Sequence, residues 1–186
     1  TLKTLIYLIC VIAGYFVLTY LAEGDLLSRQ SKSLIIPMGI NIILAVSLSL
    51  TVGFLGELSL GHAGFMAIGG YTGALITLHM NLPKGIEFTI ALIAGGIMAA
   101  IFGFLIGLPV LRLKGDYLAI VTLAFGEIIR SVLTSLKFTG GAQGLTKIPR
   151  YSNYTWVYIV MVLTVVLISN FVKSRHGRAI ISVREN

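Results

Sequence analysis

Apolar runs of about twenty residues recur along this chain with almost no charge inside them, and nothing else in it constrains the fold as strongly. Each run is long enough to cross a bilayer as a helix. With no water to bond to, a spanning segment must satisfy its own backbone, which leaves helices or closed barrels. The runs lack the alternation of barrel strands and exceed their length of roughly 10 residues. Composition agrees: 56% of residues are hydrophobic and 11% charged, against roughly a quarter charged in soluble domains. The expectation is an all-α, polytopic transmembrane helical bundle. The net charge of +7 sits mostly in loops and tails, which fits membrane anchoring and gives no sign of nucleic acid. Cys10 is the single cysteine, so no intrachain disulfide can form.

About six hydrophobic segments are expected, at residues 4–22, 34–55, 61–80, 88–108, 117–136 and 154–172. Pro37 falls near the start of the second, Pro109 closes the fourth, and Asp116 is placed to N-cap the fifth. A Gly-rich break precedes the third. No linker or soluble domain interrupts the series, so residues 1–186 read as a single transmembrane domain, with 174–186 a short cytoplasmic segment. The chain opens on Thr1 and stops within a charged stretch, and both ends read as truncated. With both termini cytoplasmic, Lys3, Arg112, Lys114, Lys173, Arg175, Arg178 and Arg184 lie inside. Arg29, Lys32, Lys84, Lys137, Lys147 and Arg150 lie outside.

Four features carry more than composition. Gly95, Ala99, Gly103 and Gly107 recur at i+4, a small-residue stripe that lets another backbone come close, and Gly69 and Gly73 repeat the spacing in the third segment. Helix packing and a movable interface lining a path both follow from it. The stretch 53–65 sets Glu57 and His62 among glycines too dense for a continuous helix. It is either a broken helix that lines a translocation path or a loop between spans. In the fifth segment, Ala119, Thr122, Gly126, Glu127, Arg130 and Thr134 are expected on one face. Leu118, Val121, Phe125, Ile128, Ile129, Val132 and Leu136 are expected on the other, lipid-facing side. Glu127 and Arg130, at i+3, form either a structural ion pair or part of the path. Last, the tail beyond Lys173 is too short to span. It suits the membrane surface, with Gly177, Arg178, Ala179, Ile180, Val183, Arg184 and Glu185 meeting a soluble partner or simply anchoring topology. Ala179, Ile180 and Val183 share one helical face there.

No catalytic or cofactor constellation is present: the chain has no Walker A sequence, no Gly-x-Ser-x-Gly and no His-Glu-x-x-His. His62, His79 and His176 are too dispersed for a metal site. An acid–base pair of Glu57 and His62 is the remaining enzymatic reading, at an awkward i+5 spacing.

Three blocks converge on a family. Residues 53–71 (GFLGELSLGHAGFMAIGGY), 111–130 (LRLKGDYLAIVTLAFGEIIR) and 139–145 (TGGAQGL), with the tail SRHGRA, resemble the LivM-type permeases of branched-chain amino acid ABC importers. The resemblance runs from about Leu34 to the end. The family's first block often has Gln where this chain has Glu57. The resemblance implies a longer permease with more spans, in a bacterial or archaeal cell membrane. It also implies a second, LivH-like permease, two cytoplasmic ATPases and an extracytoplasmic amino-acid-binding protein. ATP hydrolysis would then lie on the partners, with 174–186 as the coupling segment. The alternative is a proton- or cation-coupled secondary transporter using Glu127 and Arg130.

Overall fold

Each of the six apolar runs folds as an α-helix: α1 Leu2–Glu23, α2 Arg29–Ser49, α3 His62–His79, α4 Lys84–Val110, α5 Asp116–Ser135 and α6 Tyr154–Lys173. The computed structural model describes residues 2–24, 28–80, 83–110, 112–113, 115–175 and 177–179, and no strand occurs among them. Four helical stretches, at 29–55, 85–110, 116–135 and 154–173, are long and apolar enough to cross a membrane, and Ile9–Ala22 is a shorter apolar helix. Their large side chains face outward: Ile93, Ile97, Phe104 and Leu105 of α4 and Leu163 and Leu167 of α6 are all exposed. Apolar exposure on this scale belongs in acyl chains, not water. The chain is a multi-pass helical membrane protein.

Local chemistry moves several helix ends from where hydropathy alone put them. Ser28 N-caps α2 by accepting the Ser31 N–H at 3.3 Å, so the helix begins at Arg29 and its first turns are polar. Pro37 therefore stands two turns inside the helix, not near its start, and denies the Ser33 carbonyl its usual donor. Pro109 closes α4 as expected, one residue before its end at Val110. At α5 the cap is Gly115, with φ +61°, and Asp116 is the first helical residue. There its charge still faces the positive end of the helix dipole.

Contacts group the chain into two compact units, residues 1–50 with 152–186 and residues 51–151. In the first unit α6 packs on α2 and on α1. Gly39 of α2 faces Val157 so closely that a Cβ has no room. The Tyr158 hydroxyl donates to the Val11 carbonyl at 2.7 Å, passing over Gly14, and its ring lies 5.7 Å from that of Tyr15.

In the second unit α3 packs on both α4 and α5. A Cβ on Gly95 would lie 2.6 Å from the Gly69 carbonyl oxygen, and one on Gly73 would lie 3.4 Å from that of Ala91. The two backbones run antiparallel in direct contact, as small-residue spacing permits. After α5 the chain makes two 3-10 turns, Lys137–Thr139 and Gly141–Gln143. Fully buried Thr139 donates to the Leu136 carbonyl at 2.8 Å, covering the end of α5. Gly140 (φ +81°) makes the left-handed turn with no space for a side chain against Gly144.

Candidate functional site

The Gly-rich break is a real interruption of the helix. After α2 the backbone widens into a π-helical turn, Leu50–Leu55, and helical structure then stops until His62. Gly56 takes φ +75°, and the Glu57 N–H returns to the Thr51 carbonyl at 3.2 Å. Residues 56–60 are non-helical, so their amides and carbonyls need partners elsewhere.

Helix α5 supplies one at Thr122. Its hydroxyl accepts the Leu60 N–H at 3.0 Å and donates to the Ala119 carbonyl at 3.0 Å. Thr122 is buried, and so is Gly61, where a Cβ would lie 3.2 Å from the Thr122 carbonyl oxygen. One turn on, a Cβ on Gly64 would lie 3.1 Å from the Gly126 Cα and 3.0 Å from the Ile129 Cδ1. Gly61 at the end of the break, Gly64 in the first turn of α3 and Gly126 on α5 thus bring two backbones together, with the Thr122 hydroxyl as the polar link. Glu57 and His62 sit at the two ends of the break, both half-buried. The His62 Nδ1 is shielded from solvent and has no hydrogen-bond partner among the described residues.

Glu127 and Arg130 are placed differently. Their side chains meet at 3.4 Å, but they are 65% and 74% exposed. The buried residues of α5 are Leu118, Ala119, Thr122 and Ile129. That stripe cuts across the expected division, which puts Leu118 and Ile129 on the lipid side and Thr122 on the same face as Glu127. Thr122 and Glu127 are five positions apart, roughly 140° around the axis. Thr122 and Ile129 are set against Gly61 and Gly64, so burial follows the neighbouring backbone and not polarity. The break, Thr122 and Gly126 therefore form one locus. Glu127 and Arg130 form another, turned outward from the helices that α5 packs on.

The stripe on α4 divides as well. Gly95 and Ala99 meet Gly69 of α3, Gly103 lies beside the Phe65 ring at 3.8 Å from an added Cβ, and Gly107 has open space. Continued backward at i+4, the stripe reaches Ala91 and Glu87, 4% and 2% exposed. Extending the spacing two steps toward the N-terminus would have found both. In the tail, Gly177 is buried while Arg178 and Ala179 are exposed. Ile180, Val183, Arg184 and Glu185 lie outside the described residues.

A family model described as branched-chain amino acid transport system / permease component matches residues 32–186. The high-affinity branched-chain amino acid transport system permease protein LivM of Escherichia coli (strain K12) is 52% identical over 112 residues, covering 60% of this chain and 25% of that protein. The protein of the same description from Salmonella typhimurium (strain LT2) is 47% identical over 126 residues, covering 67% of this chain and 29% of its own length. A probable branched-chain amino acid transport permease protein LivM of Methanocaldococcus jannaschii is 27% identical, over 80% of this chain and 54% of its own length. The chain thus spans about a quarter to about a half of the length of these relatives. No solved structure matches it. The chain belongs to the family of permease components of branched-chain amino acid transport systems.

Proposed function

We propose that this chain forms part of a membrane-spanning permease subunit of an ATP-driven importer for branched-chain, or related small apolar, amino acids. The observation that carries the reading is the interruption at 56–61, held on α5 by Thr122. Non-helical backbone at membrane depth is tolerated where it is buried in protein or lines a water-filled cavity. Here one amide is satisfied by a side chain, and Glu57 and His62 flank it, which suits a path for a small zwitterion. Family membership supports the substrate class. The partners are a second, LivH-like permease, two cytoplasmic ATPases and an extracytoplasmic binding protein, in the cytoplasmic membrane of a bacterium or archaeon. Substrate selection rests mainly with the binding protein. The ATPases close, push on the segment from Ser174 onward, and rock packed helices between outward- and inward-open states.

The test is uptake of labelled leucine into proteoliposomes holding the full-length permease and its partners. Uptake should require ATP and survive collapse of the proton gradient. Uptake that ignores ATP and stops with the gradient would overturn the importer and favour a proton-coupled carrier built on Glu127 and Arg130.

A further inference from the structure

Helix α6 does not fray into its tail. It ends at Lys173, and Ser174 leaves helical geometry with φ −70° and ψ 169°. The Ser174 N–H returns to the Phe171 carbonyl at 3.0 Å, and its hydroxyl donates to the same oxygen at 2.6 Å. That hydroxyl also accepts the Gly177 N–H at 3.1 Å, while the Ser174 carbonyl accepts the Arg178 N–H at 3.1 Å. The Arg178 guanidinium reaches back to donate to the Lys173 carbonyl at 2.8 Å. Gly177 is buried under the last turn, where a Cβ would run into the Phe171 and Val172 carbonyl oxygens.

These contacts converge on one place. The last carbonyls of a helix have no partner within it, and a cation there is favoured by the dipole. Ser174 and Arg178 occupy those acceptors, and Gly177 is the residue type that permits the approach. A free swivel would require none of the three. Arg178 is thereby committed to α6, although its charge marked it as a contact for a soluble partner.

We propose that Ser174, Gly177 and Arg178 form a rigid elbow that makes the tail a lever on α6. The inference rests on the importer reading. Force applied to the tail passes into α6 and on to α2 and α1, which pack on it, instead of dissipating in a flexible joint. The three are positioning residues, and none needs to touch an ATPase.

The experiment uses the full-length permease assembled with its partners in proteoliposomes. Nitroxides on the exposed positions Leu163 and Ala179, in a cysteine-free background, report the angle between α6 and tail as a distance distribution. The wild type should give one narrow distribution, unchanged by ATP trapping. Gly177→Ala and Ser174→Ala should broaden it and lower amino acid uptake per ATP hydrolysed by roughly fivefold or more, with subunits still copurifying. Ser174→Thr, which keeps the hydroxyl, should restore both. If Gly177→Ala fails to assemble, Ser174→Ala removes one hydroxyl and carries the same two readouts. A broad wild-type distribution overturns the elbow, as does a Ser174→Ala distribution as narrow as wild type. A broadened distribution with normal uptake per ATP overturns the lever. A wild type without ATP-driven uptake overturns the importer reading and the lever with it, while the distances still decide the elbow.

Discussion

Thr122 is the residue on which the interrupted helix depends. Its hydroxyl is the acceptor for the part-buried Leu60 N–H, and leaving a fully buried donor unsatisfied costs about 1–3 kcal/mol, which is the upper range for this bond. Thr122→Val keeps the shape and removes both bonds, so it should destabilise the folded protein by up to that amount. Thr122→Ser keeps the hydroxyl and should cost little. The control is Thr134→Val: among the described residues the Thr134 hydroxyl bonds to carbonyls of its own helix, and it is exposed, so the change should be mild. The measurement is denaturant unfolding in detergent, followed by uptake in the assembled transporter. Equal effects of Thr122→Val and Thr134→Val would remove the special role of the Leu60 bond.

At the level of helices, the contact between α3 and α4 sets the sharpest limit. The Gly95 position has an added Cβ at 2.6 Å from the Gly69 carbonyl oxygen, whereas at Gly107 nothing lies within 4 Å. Overpacking of this kind costs about 1–3 kcal/mol. Gly95→Ala should therefore lower the unfolding midpoint, Gly95→Leu more so, and Gly107→Ala and Ile97→Leu should be close to neutral. A Gly107→Ala variant as damaged as Gly95→Ala would mean that the whole stripe packs, not only its first half. Much of this layer was legible beforehand. Six apolar runs announced six helices, and glycines at i+4 marked faces open to close approach, because both signals are local; that α3 and α4 use them on each other is seen only in the fold. The Gly-rich break was legible for the same reason, since dense glycine weakens a helix wherever it sits. Helix starts were less legible, as polar turns such as 29–33 belong to a helix without adding hydropathy. The buried face of α5 was misread. Which side of a helix is covered depends on neighbours far away in sequence, and Thr122, a polar residue, proved to be a core residue because Leu60 meets it.

Across the whole molecule, the outward face of α5 differs in chemistry from the apolar faces around it. Glu127, Arg130 and Thr134 lie on it, with Leu123 and Ile120 close by around the axis, and all are exposed in this chain. A charge at mid-membrane costs on the order of 3 kcal/mol on insertion scales, and pairing at 3.4 Å within one helix offsets only part of that. By contrast, Phe104 and Leu105 on α4 present apolar surface that acyl chains satisfy at no such cost. The two surfaces should therefore have different neighbours in the assembled transporter. The Glu127 face should meet protein or a hydrated path, and the Phe104 face should meet lipid. A photoreactive amino acid placed at Leu123 should crosslink to protein, and one at Phe104 should crosslink chiefly to lipid. The charges give a second arm. Glu127→Gln should leave Arg130 without its partner and lower the yield of folded protein, and adding Arg130→Gln should recover part of it. A stable Glu127→Gln protein that no longer transports would instead assign the carboxylate to the path. Lipid adducts at Leu123 as abundant as those at Phe104 would show that an intrahelical pair suffices to hold two charges against acyl chains, and the face would then need no partner.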